Sequence, residues 1–316
     1  IVARDANKVH LAVTGTYSSK NASAETREDA LDPAHTPGRT VDYALTLTGS
    51  DPAALSNYTL STTNVNGRAA DIYKKKLTVD VGRKEKDYDG TADVTGLIPG
   101  DITFHGVLAG DALSLDAAAL TKISGQYLDD AGQPGADVRR DANHAVTDKA
   151  VGYTGLNAAL IDRAARDTTA GNYRVDDTKN YTVGDAKGQI RPLNITPYDP
   201  TPTDPHNPNP RVSMAFDATG PSKVYDGTAT VKHNGVGTAD ALKNYLTGAK
   251  VILGGTVVGG VVTGGTEVNI WKDIAIDPTK THYDDKMVGT GKNVTYGLKY
   301  TGNNFTIDDF TRRVSK

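Results

Sequence analysis

The side chains with the clearest capacity for chemistry are carboxylates that occur in pairs. Two neighbouring carboxylates can act as acid and base on a glycosidic bond, and carboxylate oxygens are the usual ligands of Ca²⁺. The pairs lie in polar, turn-rich stretches, which favours solvated loop charges over a catalytic pair. We keep one of them, Asp284 with Asp285, as a candidate calcium-binding loop. The pairs are Asp129-Asp130, Asp176-Asp177, Asp284-Asp285 and Asp308-Asp309.

A further set of carboxylates belongs to a heptapeptide that occurs twice, as residues 86–92 and 223–229, with Lys, Tyr, Asp-Gly, Thr and Ala in register. A metal loop made of Asp87, Asp89 and Asp93 is disfavoured, since Gly90 comes too early for the alternating oxygen ligands of a calcium loop. Asp-Gly suits a tight hairpin reversal, because Gly takes positive φ without a Cβ clash. We therefore predict a structural strand–turn–strand corner in each copy. Its turn residues are Tyr88, Asp89, Gly90, Tyr225, Asp226 and Gly227.

Other catalytic patterns are absent from the sequence. Its 7 histidines include no close pair, and there is no His-Glu-x-x-His helix and no Gly-x-Ser-x-Gly nucleophile elbow. Gly289–Asn293 resembles the end of a phosphate loop, but Asn293 stands where Ser or Thr would hold Mg²⁺. We therefore predict that the protein is not an enzyme and needs no cofactor.

The composition indicates a protein of strands and turns. The 316 residues include 33 Gly and 15 Tyr, against 4 Phe and 1 Trp. The net charge of -3 predicts no nucleic-acid partner, and no apolar run has membrane-spanning length. Cysteine is absent, which excludes disulfides and thiol chemistry. Because the chain begins at Ile1, we expect a fragment of a longer polypeptide.

Alternating apolar residues predict strands that recur along the chain. Val41–Leu47 places Val41, Tyr43, Leu45 and Leu47 on one face, and the stretches 151–156 and 293–300 match it. A tyrosine precedes the strand at a comparable place each time. These tyrosines are Tyr17, Tyr127 and Tyr283.

This recurrence predicts tandem β-modules, each with its own core. The expected modules are 1–80, incomplete at its start, 81–196 and 211–316, the last two carrying the Tyr-Asp-Gly corner. The prolines of 197–210 predict an extended linker. Short strands are expected at 57–60 and 113–115, and short helices at 157–167 and 239–246. We favour immunoglobulin-like β-sandwiches, with β-grasp-like modules as the alternative.

These motifs resemble the YDG-type and MBG ("mostly beta, glycine-rich") repeats of very large bacterial surface proteins. The resemblance rests on Lys-x-Tyr-Asp-Gly-Thr-Ala, on the module-closing strands at 71–79 and 188–195, and on Val-x-Tyr followed by Asn-Tyr-Thr. Such repeats often belong to filamentous-haemagglutinin-like, two-partner-secreted adhesins. The resemblance implies β-modules at the bacterial cell surface and carries over no catalytic residues. The secretion domain of those adhesins is not present.

Two functions remain open from the sequence. The first is an extracellular stalk or adhesive segment that contacts a host or matrix glycan or protein, or a biofilm polysaccharide, and adjoins neighbouring modules of the same long chain. The second is a dedicated carbohydrate-binding module, which needs exposed aromatic rings near carboxylates. Trp271 and Tyr283, beside Asp284 and Asp285, are the candidate ligand-binding residues for that function.

Overall fold

The computed structural model describes residues 1–26, 34–176, 186–197, 211–217, 220–259 and 261–314. The predicted linker at 197–210 therefore lies almost entirely outside the described residues. The all-β class is confirmed, because most of the ordered structure consists of strands in several sheets. The finer choice between sandwich and β-grasp modules stays a prediction. No helix among the described residues has the length and apolar character needed to cross a bilayer.

Strands alternate with four short helices in the described chain. The helices are α1 (Pro52–Leu55), α2 (Ala117–Leu120), α3 (Leu156–Ala164) and α4 (Ala239–Lys243). The strands are β1 (Val9–Tyr17), β2 (Arg39–Gly49), β3 (Asn64–Ala70), β4 (Lys75–Val81), β5 (Lys84–Asp87), β6 (Asp93–Val94), β7 (Ile102–His105), β8 (Ser124–Tyr127), β9 (Lys149–Thr154), β10 (Tyr173–Val175), β11 (Lys187–Arg191), β12 (Leu193–Ile195), β13 (Val212–Phe216), β14 (Leu246–Leu253), β15 (Thr256–Val258), β16 (Val261–Thr263), β17 (Thr266–Asn269), β18 (Ile274–Tyr283), β19 (Asn293–Tyr300), β20 (Phe305–Ile307) and β21 (Phe310–Arg313).

Local sequence explains where several helices begin. Asp51 accepts hydrogen bonds from two backbone N–H groups of α1, and Asp116 accepts one from α2. Such caps satisfy donors that have no partner within the helix. Two expected strands are absent because their residues flank short helices. Residues 113–115 run directly into the Asp116 cap, and Asn57 follows α1 and donates its side-chain amide to the Ala53 carbonyl at 3.1 Å.

The chain divides into two compact units, each built from separate stretches. The first contains Ile1–Gly82, Thr95–Gly125 and Gly152–Ala186, and the second contains Arg83–Val94, Gln126–Val151 and Lys187–Lys316. These bounds cross the module boundaries predicted at 80, 196 and 210. The modules stay a prediction, and we call the three sequence copies repeats 1, 2 and 3.

The first unit contains two three-stranded sheets. One has the order β1-β2-β3 and is antiparallel throughout, and the other has the order β10-β4-β7. Leu77 and Val79 of β4 are buried, as are Leu156 and Leu160 of α3. The alternation of buried and exposed residues along β4 is that of a strand with one face on a core.

The second unit holds one large core cluster. Buried side chains of β13, β14, β18 and β19 form its centre, including Met214, Val251, Ile276 and Tyr296. The sheets β13-β14-β17, β18-β19-β21 and β12-β20 lie within this unit, and the five-stranded sheet has the order β5-β11-β9-β8-β6. At the end of the described chain, β21 pairs antiparallel with β19.

The three repeats share one strand register around Tyr17, Tyr127 and Tyr283, which lie at comparable places in the sequence. In each repeat the residue after this tyrosine donates its N–H to the carbonyl that precedes the matched valine. The three bonds are Ser18 to Thr40 at 2.8 Å, Leu128 to Ala150 at 2.9 Å and Asp284 to Asn293 at 2.9 Å. We call Tyr17, Tyr127 and Tyr283 the anchor tyrosines.

Within each unit, one extended segment pairs with two successive repeats. In the first unit Tyr73 bridges in parallel to Ala24 of repeat 1, and Lys75–Leu77 pairs in parallel with Tyr173–Val175 of repeat 2. In the second unit Gly188–Arg191 pairs in parallel with β5, and Leu193–Ile195 pairs in parallel with β20 of repeat 3. We call residues 73–77 and 188–195 the crossing segments. Each one joins two repeats by backbone hydrogen bonds.

Candidate contact site at the Tyr-Asp-Gly corners

The side chains of each Lys-x-Tyr-Asp-Gly-Thr-Ala segment form one closed hydrogen-bond network. In repeat 2 the ammonium group of Lys86 donates to the Asp89 carboxylate and to the Thr91 carbonyl, both at 2.8 Å. The Thr91 N–H and hydroxyl donate to the same carboxylate, both at 2.9 Å. This network explains why Lys, Asp and Thr recur together at this spacing.

Repeat 3 reproduces the network. Lys223 donates to the Asp226 carboxylate at 2.7 Å and to the Thr228 carbonyl at 2.6 Å. The Thr228 N–H and hydroxyl donate to Asp226 at 2.9 and 2.7 Å. Hydrogen bonds from Lys223 and then from Thr228 lower the pKa of the Asp226 carboxyl below its ordinary value. The carboxylate is thus held as an anion by its own segment.

The predicted positive φ of the turn glycines is observed, at 81° for Gly90 and 77° for Gly227. The hairpin geometry expected from Asp-Gly is not. β5 ends before the turn and β6 begins after it, yet these strands lie at opposite edges of the five-stranded sheet. The reason is that β5 pairs with β11 of the crossing segment. The turn of repeat 2 is therefore a corner between two non-adjacent strands. The predicted strand–turn–strand arrangement is wrong for repeat 3, where residues 220–229 contain no strand.

Each corner also covers an anchor tyrosine. Lys86 lies 5.7 Å from the ring centroid of Tyr127, and Lys223 lies 5.8 Å from that of Tyr283. A cation over an aromatic face is attracted by the negative face of the ring. Beside it, the Tyr127 and Tyr283 N–H groups donate to the carbonyls of Ala92 and Ala229, both at 2.8 Å. Lysine, corner and tyrosine therefore form one structural unit.

The three carboxylates considered for a metal loop are not brought together. Asp87 accepts from Arg191 at 3.0 Å, Asp89 belongs to the corner network, and Asp93 faces Gln126 at 3.4 Å. Across the described residues, no group of three or more His, Cys, Asp or Glu is placed to hold a metal ion.

The candidate calcium loop uses its carboxylates for its own backbone. Asp284 accepts the N–H groups of Asp285 and Asn293, at 3.0 and 3.2 Å. Asp285 accepts the Met287 N–H at 2.7 Å and pairs with Lys292. The Lys292 hydrogen bond, followed by that of Met287, lowers the pKa of the Asp285 carboxyl. This lysine supplies the positive charge that a cation would otherwise supply.

Carboxylates of other acidic pairs are also engaged by groups of the protein itself. Asp129 accepts N–H groups of Ala131 and Gln133, and Asp130 pairs with Arg139 at 2.9 Å. Asp308 accepts from Asn194 at 3.2 Å. Asp177 lies outside the described residues.

Trp271 is partly buried within the second unit. The side chain is partly buried on the core cluster, and its indole N–H donates to the Leu246 carbonyl at 2.8 Å. Lys243 lies 5.1 Å from the ring centroid and covers it. Both the polar edge and the ring of Trp271 are thus occupied within the unit.

Tyr283 is buried, with 8% of its surface exposed. Burial raises the pKa of its hydroxyl to about 12. The hydroxyl has no hydrogen-bond partner among the described residues. Tyr283 and Asp285 line one cavity of about 180 Å³, and Trp271 is not among the lining residues. The predicted carbohydrate cluster is therefore only partly assembled.

The corner of repeat 3 carries an apolar surface that the sequence analysis missed. Val224 is 89% exposed, Tyr225 60%, Met287 66% and Val288 84%. Tyr225, Met287 and Val288 also line the cavity beside Tyr283. We call these four residues the corner patch. The only sequence signal for it was that apolar Val224 replaces Asp87 of the other copy.

Comparison of the chain with protein-family models, with characterised proteins and with solved structures gives no match.

Proposed function

We propose that the chain is a structural and adhesive segment of a bacterial surface protein, acting outside the cell. The observation that carries this proposal is the pair of crossing segments. Each one joins successive repeats by parallel strand pairing. Strand pairing of this kind fixes each repeat to the next one along the chain, as a stalk or attachment segment requires.

The corner networks support a structural role for the most distinctive motif. Lys86, Asp89 and Thr91 satisfy one another, and so do Lys223, Asp226 and Thr228. Polar groups engaged in this way stabilise a local conformation and are not poised for reaction. We therefore assign the motif to building the repeat.

The corner patch is the surface we propose for contact with a host or matrix glycan or protein, or with a biofilm polysaccharide. Exposed apolar side chains grouped on a soluble protein mark interaction sites more often than isolated ones do. Tyrosine is also among the residues that contribute most to binding energy at interfaces.

The test is retention under flow of beads that carry the chain through a C-terminal tag. The surfaces are matrix proteins, mammalian glycans and bacterial exopolysaccharides. We expect saturable retention on at least one surface, competed by the soluble chain. The double variant Tyr225→Ser/Val288→Ser should lower it by about tenfold or more, as expected for loss of an interface aromatic.

A matched control replaces exposed valines outside the patch. Val258 and Val261 are each 63% exposed, in β15 and β16. Val258→Ser/Val261→Ser should retain beads like the original chain. Retention no greater than that of albumin-coated beads on every surface would overturn the adhesive role.

Carbohydrate binding is the second candidate. The observation that favours it is the exposed ring of Tyr225 on a cavity lined also by Asp285 and Thr290. An aromatic face beside a carboxylate and a hydroxyl matches the chemistry of a sugar ring. Binding confined to one class of glycan, and lost in Tyr225→Ala, would favour this function over general adhesion.

A further inference from the structure

Repeat 1 presents a two-stranded ladder like that of repeat 3, which has in addition a register shift between Asp277 and His282 of β18. In β1 and β2, Tyr17 pairs with Val41 and Val13 with Leu45, and in β18 and β19 Tyr283 pairs with Val294 and Ile276 with Leu298. One step further, Leu11 pairs with Leu47 and Ile274 with Tyr300. Leu11 and Val13 therefore occupy the positions of Ile274 and Ile276.

Burial at these matched positions differs greatly. Ile274 and Ile276 are 1% and 2% exposed, whereas Leu11 and Val13 are 51% and 52% exposed. The anchor tyrosine follows the same pattern, with 47% of Tyr17 exposed against 1% of Tyr127 and 8% of Tyr283. Repeat 1 thus has a half-exposed apolar sheet face where repeat 3 has a core.

The elements that bury this face in repeat 3 precede β18 in sequence. Met214 of β13, Leu242 of α4 and Val251 of β14 share a core cluster with Ile274 and Ile276. We call residues 211–270, which contain these elements and the corner, the opening half of repeat 3. The sequence Lys-x-Tyr-Asp-Gly-Thr-Ala occurs only at 86–92 and 223–229. Residues 1–80 therefore contain no copy of this motif.

The outer edge of β1 shows the same deficit. In repeat 2, β8 is bordered by β6, which follows the corner at 86–92. In repeat 3, His282 of β18 bridges to Thr230, which follows the corner at 223–229. β1 is an edge strand of the sheet β1-β2-β3 in the described chain. An edge strand offers unpaired N–H and C=O groups to an added strand.

We propose that the β1 edge and the Leu11–Val13–Tyr17 face form a docking surface for the opening half of another repeat. That occupant carries a Lys-x-Tyr-Asp-Gly-Thr-Ala corner and an apolar strand pair. Its lysine covers the Tyr17 ring, its alanine carbonyl accepts the Tyr17 N–H, and its strands bury Leu11 and Val13. This surface is distinct from the corner patch and does not depend on the adhesive role.

The test supplies the occupant to the intact chain. A copy of residues 211–270 is joined through a flexible Gly/Ser linker to Ile1 of the 316-residue chain. Amide hydrogen exchange of the peptide covering residues 9–17 is then compared with and without the extension. We expect strong slowing of exchange in β1.

Two controls separate docking from mere attachment. An extension whose copies of Met214 and Val251 are changed to Ser should leave exchange of β1 fast. Leu11→Ser/Val13→Ser should leave the unextended chain folded and remove the protection in the extended one. Equal exchange with both extensions would overturn the proposal. So would a stable dimer of the unextended chain with β1 protected, since the occupant would then be a second copy.

Discussion

At the scale of single residues, the repeated heptapeptide owes its composition to one network in which each polar side chain has a defined partner. The lysine ammonium group donates a hydrogen bond to the aspartate carboxylate and lies over a tyrosine ring, and the threonine N–H donates to the same carboxylate. Glycine allows the left-handed backbone on which these bonds depend. The polar groups of these residues therefore bind one another within the segment.

The two turn glycines allow backbone strain to be separated from crowding. Gly90→Ala should destabilise its unit by about 1–3 kcal/mol, because L residues are strained at positive φ. A Cβ at Gly90 would also lie 3.0 Å from Leu253, whereas one at Gly227 would meet nothing within 4 Å. Gly227→Ala should therefore cost less, and Gly90→Val should cost more than either alanine variant.

Urea unfolding monitored by circular dichroism measures both alanine variants. An unchanged midpoint for Gly90→Ala would show that the backbone at this corner is not left-handed in solution.

The corner carboxylate should make stability depend on acid pH. The pKa of Asp226 is lowered in the folded protein, so the unfolded chain takes up this proton first as the pH falls. Its contribution is complete above the ordinary pKa of about 3.9 and is lost as the pH falls below it towards the folded value. The difference in Tm between the original chain and Asp226→Asn should be largest near neutral pH and shrink below about pH 4.

Differential scanning calorimetry over this pH range measures the effect. Asp240→Asn, at an exposed carboxylate in the first turn of α4, serves as the control. A difference in Tm for Asp226→Asn that is constant with pH would contradict the assigned interaction.

At the scale of elements, the crossing segments combine an exposed edge with buried anchors. Ile195 is 0% exposed and Leu77 is 2% exposed, and they occupy matching places in the parallel pairs. Leu77 pairs with Val175, and Ile195 pairs with Ile307. The anchors hold the crossing segments in register with the following repeat.

Truncating one anchor should therefore weaken the unit that contains it. Ile195→Ala should cost about 2–5 kcal/mol, because it removes buried methyl groups and leaves a cavity. Asn194→Ala, at the exposed neighbour, should cost about 1 kcal/mol or less, as expected for surface hydrogen bonds. Chemical denaturation with matched slopes compares the two, and equal losses would contradict burial of the anchor.

Several elements could be predicted from the sequence because their signals are local. Alternation identified β1 and β2, and the stretches 157–167 and 239–246 indicated α3 and α4. The anchor tyrosines were found at comparable places in the sequence, but the register that the repeats share was not predicted from them. The strand expected at Leu113–Leu115 is absent because an alternation of only three residues does not distinguish a strand from a chain entering a helix cap.

At the scale of the whole molecule, the pairings that join repeats could not be predicted. Leu193 pairs with Phe305, far along the chain, and parallel pairing leaves no hairpin turn in the sequence to mark it. The exposed face of repeat 1 was also hidden, because Leu11 and Val13 have the pattern of core residues. Only comparison with Ile274 and Ile276 in the folded structure shows that their cover is missing.

The central claim is that one segment closes a repeat and pairs with the next. Asn194 and Thr306 are register partners of the parallel pair, and their side chains are hydrogen-bonded at 2.9 Å. Neighbouring strands lie about 4.8 Å apart, within the range that a disulfide spans. The chain contains no cysteine, so a designed pair has no competing thiol.

The direct measurement is the mass of the Asn194→Cys/Thr306→Cys variant after mild oxidation at low protein concentration, with Asn194→Cys/Thr301→Cys as the unpaired control. We expect complete formation of one intramolecular disulfide in the first variant and free thiols in the second. Free thiols in both variants, or crosslinks only between molecules, would contradict the claim that the crossing segment pairs with the following repeat.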